Sequence, residues 1–319
     1  MKITALGVAL VLALSACQEP DNGLTRLTIL HGVSTNNLPL FVAVKRGYFT
    51  DEGLELDMQP EISSPRNLQL LHLGEVQVAG VGAIPAILGL SRGIEVVAVV
   101  ENGGYGRNNP QQAIAVRHGS GIETLADLSG RTIAITGFGS HGDVTLRMEI
   151  LPQAGLSVDD VELVEIPVAQ MAGALLSGTV DAALVNEPWA TAAADNEELE
   201  IMSWLEDTIP DTGHIISLLL MQRAFANEHP DIVEKFRRAY RKGVEETKRD
   251  PTTALSLSAS FLKTDPELLR RTRLPEWPAD GQIRVGILEK VAASMKSLDI
   301  IQEVPDIQAF VWPSSALER

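Results

Sequence analysis

The feature that most restricts this chain is an alternation, sustained from about residue 27 to residue 221, of short apolar β-rich runs with segments of helical periodicity. Leu27-Thr28-Ile29-Leu30 is followed by His31 to Asn37, a loop dense in turn and cap residues. Pro39, Leu40, Phe41, Val44 and Tyr48 then recur at helical spacing until Gly47 and Gly53 interrupt them. Leu54 to Met58 alternates as a strand, Pro65 to Leu73 has a helical pattern, and Val76 to Val81 is a third strand. An Ala/Leu-rich helix and the continuous apolar run Ile94 to Val100 come next. This order predicts an α/β domain with a mainly parallel sheet. A second unit of the same kind starts near residue 114: strands at Ile114–Val116, Thr132–Thr136, Val161–Ile166 and Ala182–Val185 alternate with helices at about Asp143–Ala154 and Ala169–Ser177. The apolar run Ile215–Met221 precedes a strongly helical end, in which Ile232, Val233, Phe236, Ala239, Tyr240 and Val244 mark one amphipathic face.

Composition narrows the function. With 45% hydrophobic and 21% charged residues the chain is neither disordered nor collagen-like, and 319 residues suit two domains. A formal charge of −16 disfavours nucleic acid, whose binding needs clustered Lys and Arg against phosphate. At the N-terminus, Met1-Lys2 precedes fourteen apolar or small residues, Ile3 to Ala16. At ~1.5 Å per residue these reach about 21 Å, short of the ~30 Å a membrane-spanning helix must cross. Residues 1–16 read as a secretion signal. Leu14-Ser15-Ala16-Cys17 resembles a bacterial lipobox, which implies lipidation of Cys17 and a tether over residues 17–25; the alternative is an ordinary signal peptide that contains a thiol. Cys17 is the single Cys, so once it is lipidated no disulfide, Cys-ligated metal or Cys nucleophile remains. Six scattered His without ligand spacing point to no metal, and no cofactor motif is present.

Several stretches, in order and spacing, resemble one family. Pro39-Leu40-Phe41-Val42-Ala43-Val44-Lys45-Arg46-Gly47-Tyr48-Phe49 with Glu52-Gly53-Leu54 is similar to the first helix and second strand of substrate-binding proteins of ABC importers. The subfamily is the nitrate/sulfonate/taurine type, which includes binders of thiamine pyrimidine precursors. Asp127-Leu128-Ser129-Gly130-Arg131-Thr132, Gly139-Ser140, Ala154-Gly155-Leu156, Leu176-Ser177-Gly178, Val180-Asp181-Ala182-Ala183 and Glu187-Pro188-Trp189 resemble its second lobe, and His229-Pro230-Asp231 its C-terminal region. The resemblance implies a type II periplasmic-binding fold: residues 26–113 and 221–319 in lobe 1, 114–220 in lobe 2, and hinge strands near Ala113–Val116 and Ile215–Leu220. It also implies a monomeric, lipid-anchored receptor in the periplasm or at the cell surface. Such a receptor delivers a small organic solute to a permease served by a separate ATPase, and touches the membrane through its lipid alone.

A ligand in such a sheet lies beyond the carboxyl ends of the strands, where loops present backbone N–H groups. The candidate ligand-binding residues are Ser34, Asn36, Asn37, Ser63, Gly82, Ala83, Phe138, Gly139, Ser140, His141, Gly142, Asn186, Glu187 and Trp189. Gly139-Ser140-His141-Gly142 is the strongest stretch, because two glycines allow close backbone approach at the head of a helix. Helix capping competes for Ser34 and Ser63, a solvent-facing position for His141, a loop position for Glu187 and a core role for Phe138 and Trp189. No Arg or Lys occurs among the candidates, and a Glu187 carboxylate in the crevice favours a zwitterion or a neutral heterocycle over nitrate. No catalytic residue is assigned: Ser140 lacks a nucleophile-elbow context, and no phosphate-binding loop or His-Glu-x-x-His is present. A ligand-sensing module for a signalling receptor and a small-molecule-modifying enzyme using Glu187 as base are the alternatives.

Overall fold

The β-rich runs assemble into two five-stranded sheets and one short two-stranded ribbon. The structure is a computed structural model that describes residues 23–60, 63–106, 109–205, 214–278 and 282–313. The signal segment 1–16, Cys17 and the tether up to residue 22 lie outside the described residues.

The strands are β1 (Thr25–His31), β2 (Leu54–Pro60), β3 (Val78–Gly82), β4 (Val96–Glu101), β5 (Gly104–Tyr105), β6 (Gln112–Arg117), β7 (Thr132–Ile135), β8 (Glu162–Glu165), β9 (Ala182–Asn186), β10 (Leu199–Trp204), β11 (His214–Ile215) and β12 (Ser217–Gln222). The first sheet has the order β2-β1-β3-β12-β4, with β1 parallel to β2 and β3, and β12 antiparallel to both its neighbours. Both faces are covered, so its strands read as apolar runs. Leu27 and Ile29 of β1 join one cluster with Phe41, Phe236 and Tyr240, while Leu30 joins the opposite one with Leu68, Leu71, Ile84 and Ile87. The helix Pro230–Arg249 buries the expected face, Ile232, Val233, Phe236, Ala239, Tyr240 and Val244. It crosses the helix Leu38–Lys45 at Gly243, where a Cβ would stand 2.1 Å from the Pro39 carbonyl oxygen, so a side chain there would force the helices apart.

The second sheet has the order β10-β6-β9-β7-β8. Parallel pairs join β7 to β8 and to β9, whereas β6 runs antiparallel to β9 and to β10. Ile114, Ile133 and Leu184 face one apolar cluster; Ala113, Ala115, Ala134, Ala183 and Val185 face the other with Met171 and Leu175.

Several expectations need correction. Both sheets are mixed rather than mainly parallel, because the strand entering each unit from the other, β6 or β12, runs antiparallel to its neighbours. Edge strand β10 was not expected; its alternation is blurred by a register shift between Ile201 and Ser203. The helix placed at Asp143–Ala154 is instead His141–Thr145, a π-helical stretch Leu146–Ile150 and a last turn Leu151–Gln153. Pro152 has no N–H to bond the Met148 carbonyl and its ring crowds that carbonyl, which favours the wider turn. The proposed hinge strands Ala113–Val116 and Ile215–Leu220 also shift: Ala113–Val116 belongs to the second sheet and Ser217–Leu220 to the first. The element shared between the two passages is the ribbon β5–β11, with pairs Gly104↔Ile215 and Tyr105↔His214. Beside it, Val144 and Met148 of the second unit pack into the apolar cluster of Ile84 and Ile87.

Candidate functional site

A cleft of about 530 Å³ opens between the two sheets, at the carboxyl ends of β1, β3 and β9 and the amino ends of β6 and β12. The first sheet supplies a floor of amides locked to one another. Asn36 Nδ2 donates to Ser217 Oγ at 2.9 Å and to the Asn102 carbonyl at 3.2 Å, and Asn102 Nδ2 donates to Asn37 Oδ1 at 2.8 Å. From beneath, the Tyr240 hydroxyl donates to Asn102 Oδ1 at 2.9 Å and Trp277 Nε1 to the Asn36 carbonyl at 2.9 Å. Burial raises the Tyr240 hydroxyl well above its ordinary pKa, so it stays a donor. Every one of these polar groups is buried and partnered, which leaves the floor rigid and neutral.

The second unit supplies Thr136, Ser140, His141, Gly142, Asn186 and Trp189. Ser140 caps its helix by accepting from Asp143 N at 3.2 Å, and Gly139, at φ 74°, donates its N–H to Asp143 Oδ2 at 2.8 Å. His141 is buried, not solvent-facing as its default reading had it. Its Nε2 shares a short hydrogen bond with the Tyr105 hydroxyl, and its Nδ1 has no partner among the described residues. Burial, reinforced by nearby His214, pulls the His141 imidazole down to about 3; burial and the Arg284 charge take His214 to about 4. Both rings are therefore neutral at ordinary pH.

Of the expected residues, the cleft brings together Ser34, Asn36, Asn37, Gly82, Ser140, His141, Gly142, Asn186 and Trp189. It does not include Ser63, Ala83, Phe138, Gly139 or Glu187. Ser63 Oγ caps the helix Ser64–His72 by accepting from Arg66 N, and Ser64 lines the cleft in its place, accepting from Gly82 N at 3.0 Å. Ala83 is core, and Phe138 is 52% exposed beneath the Arg147 guanidinium. Glu187 is 2% exposed and turned away from the crevice: its oxygens accept from Thr191 N at 3.0 Å, Thr191 Oγ1 at 2.9 Å and Arg273 N at 3.2 Å. Burial pushes this carboxyl up, while the Thr191 and Arg273 donors pull it down.

Sequence reasoning missed Asn102, Ser217, Gln112 and Lys263. Asn102 directly follows, and Ser217 opens, an almost wholly apolar strand; a polar residue at such a boundary was the available signal. Lys263, left-handed at the end of the helix Pro251–Leu262, comes from a distant part of the chain and carries no local signature. Among the described residues it is the single Lys or Arg lining the cleft, which corrects the expectation of a cleft without a cation. Among the described residues no cluster of His, Cys, Asp and Glu could hold a metal ion, and no helix is long and apolar enough to cross a membrane. The arrangement offers backbone donors, neutral amides, one ammonium and an indole, a set suited to holding a small molecule.

The chain and its fold are similar to those of known proteins. A putative aliphatic sulfonates-binding protein of Bacillus subtilis is 26% identical over 299 residues, covering 90% of this chain and 87% of that protein. A formylaminopyrimidine-binding protein of Halalkalibacterium halodurans is 23% identical over 265 residues, 80% of this chain and 77% of that one. The solved alkanesulfonate-binding protein SsuA from Xanthomonas axonopodis pv. citri, bound to MOPS, superposes with a TM-score of 0.73 at 19% identity, covering 90% of this chain and 98% of that chain. The model of the family described as "NMT1/THI5 like" matches residues 34–254, so the chain belongs to that family and has the two-lobed type II periplasmic-binding fold.

Proposed function

We propose that the protein is the solute-binding component of an ABC importer, and that it takes a small organic anion such as an alkanesulfonate. The observation that carries this reading is the cleft itself. It is lined from both lobes, its floor is uncharged, Lys263 is its lone Lys or Arg among the described residues, and the one carboxylate expected there, Glu187, faces elsewhere. An ammonium in a cleft with no lining Asp or Glu among the described residues favours a single negative charge on the ligand, and Trp189 offers a flat apolar surface to its body. With Glu187 withdrawn, the earlier preference for an amine-bearing or neutral ligand loses its support.

In this reading the solute binds between the lobes, contacts on both sides stabilise the closed form, and that form docks on a permease with a separate ATPase. Cys17 carries the lipid, the protein acts as a monomer outside the cytoplasmic membrane, and the solute leaves chemically unchanged. The signalling-module and enzyme alternatives gain no specific support from the cleft. Isothermal titration with ethanesulfonate, taurine, nitrate and an aminopyrimidine tests the proposal. Saturable binding of a sulfonate that Lys263→Ala weakens is the expected result; binding of the aminopyrimidine alone, unaffected by Lys263→Ala, would overturn the anion assignment.

A further inference from the structure

The extended chain after the helix Pro266–Arg271 runs along the boundary between the lobes, and the hinge ribbon does not account for what holds it there. Towards the second lobe, Arg271 Nη2 lies 3.0 Å from Asp195 Oδ2, the Arg273 amide donates to Glu187 Oε1 at 3.2 Å, and the Arg273 guanidinium sits 4.1 Å from the centre of the Trp204 ring. Towards the hinge, Gly104 and Glu276 exchange backbone hydrogen bonds of 2.7 and 2.9 Å, which adds a third extended segment beside β5 and β11. Gln111 Nε2 also donates to the Arg273 carbonyl at 3.3 Å. Towards the cleft floor, Trp277 Nε1 donates to the Asn36 carbonyl. One seven-residue segment, 271–277, thus touches the second lobe, the hinge and the ligand floor.

We propose that residues 271–277 form a strap that limits how far the lobes separate, and that Glu187 is the positioning residue that fastens it. The proposal rests on the reading that the lobes move about the hinge. Glu187 is a costly choice for a residue so deeply buried, because an apolar side chain of similar volume would spare its desolvation. Thr191 fixes the orientation of the carboxylate, and the remaining acceptor capacity is aimed at one amide of the other lobe's chain, a charge-assisted bond. Asn186 and Trp189, within two residues of Glu187, line the cleft, so the fastening point moves with the ligand-binding wall. Spreading the lobes must break the Glu187–Arg273 bond, slide Arg273 off Trp204 and separate Arg271 from Asp195.

The test is hydrogen exchange and small-angle scattering of the ligand-free full chain, comparing the wild type with Glu187→Ala, Glu187→Gln and the doubly substituted Arg271→Ala/Arg273→Ala. The expected result is about tenfold faster exchange over residues 271–277 and at Gly104, with a larger radius of gyration, in Glu187→Ala and in the double variant. Glu187→Gln keeps an acceptor for the amide and should fall between them and the wild type. The double variant covers the case in which Glu187→Ala fails to fold, since Arg271 is 58% exposed. The double variant keeps the Arg273 backbone amide, so wild-type exchange and dimensions in both it and Glu187→Gln would overturn the strap. A parallel ethanesulfonate titration separates the two readings. Loosening without solute binding supports the strap and removes the sulfonate receptor, whereas binding with no loosening keeps the receptor and removes the strap.

Discussion

The two walls of the cleft are built on opposite principles. On the first lobe, Asn36, Asn37, Asn102 and Ser217 spend their hydrogen bonds on one another and on Tyr240 and Trp277. On the second, Ser140 caps a helix and, among the described residues, His141 Nδ1 is without a partner and the Asn186 side chain makes only a long 3.4 Å contact to the Glu187 carbonyl. The floor is thus a preset template, and the wall opposite keeps polar capacity in reserve. A receptor that discriminates between solutes needs both, because a rigid floor fixes where the ligand sits and spare donors reward its arrival.

The sharpest way to break this contrast is Asn102→Ala, which takes one hydrogen-bond partner each from Tyr240, Asn37 and Ser217 in a buried site. It should cost about 2–4 kcal/mol in denaturant unfolding, against less than ~1 kcal/mol for Asn186→Ala. Equal losses would mean the walls do not differ. Next, Lys263→Ala should weaken sulfonate binding at least about tenfold in calorimetry and leave stability within ~0.5 kcal/mol, since that change sits at the end of a helix.

A third effect concerns pH. His141 and His214 have folded values of about 3 and about 4 against an unfolded 6.5, so the unfolded chain binds more protons through that interval. Stability is therefore lost as pH falls from about 6.5 towards 4, with each imidazole contributing roughly 1 kcal/mol per pH unit. Burial raises Glu101 and Glu187, which act in the opposite sense. Subtracting the profile of His141→Phe from that of the wild type isolates the imidazole; a parallel pair of profiles would place its titration outside the folding equilibrium. The smallest effect is expected for Ser64→Ala, which removes the acceptor for Gly82 N and should cost about 0.5–1.5 kcal/mol with a modest loss of affinity.

The two lobes and much of the cleft lining were legible in the sequence, whereas the contrast between the walls was not, because Asn102 and Ser217 carry it. Strand and helix order followed from periodicity, and Ser34, Asn36, Asn37, Gly82 and Ser140 to Gly142 were placed at the cleft because they follow strands. Glu187 was misplaced for a physical reason: a strand end determines where the backbone goes, whereas the partner that captures a carboxylate, here the Arg273 amide 86 residues later, leaves no local trace. Lys263 and Trp277 were invisible for the same reason. Phe138 shows the converse, since an aromatic beside a glycine loop can point outward when a cation such as Arg147 covers it.

The interleaving of the sheets also dictates an order of assembly. All five strands of the second sheet lie within residues 112–204, so that sheet has every partner once this stretch of chain is available. The first sheet has β12 wedged between β3 and β4, and one of its apolar faces is closed by the helix Pro230–Arg249, so it stays incomplete until the chain has returned from the other lobe. Its N-terminal strands must wait with their apolar faces uncovered, and during biogenesis they are the part of the molecule most in need of protection from aggregation.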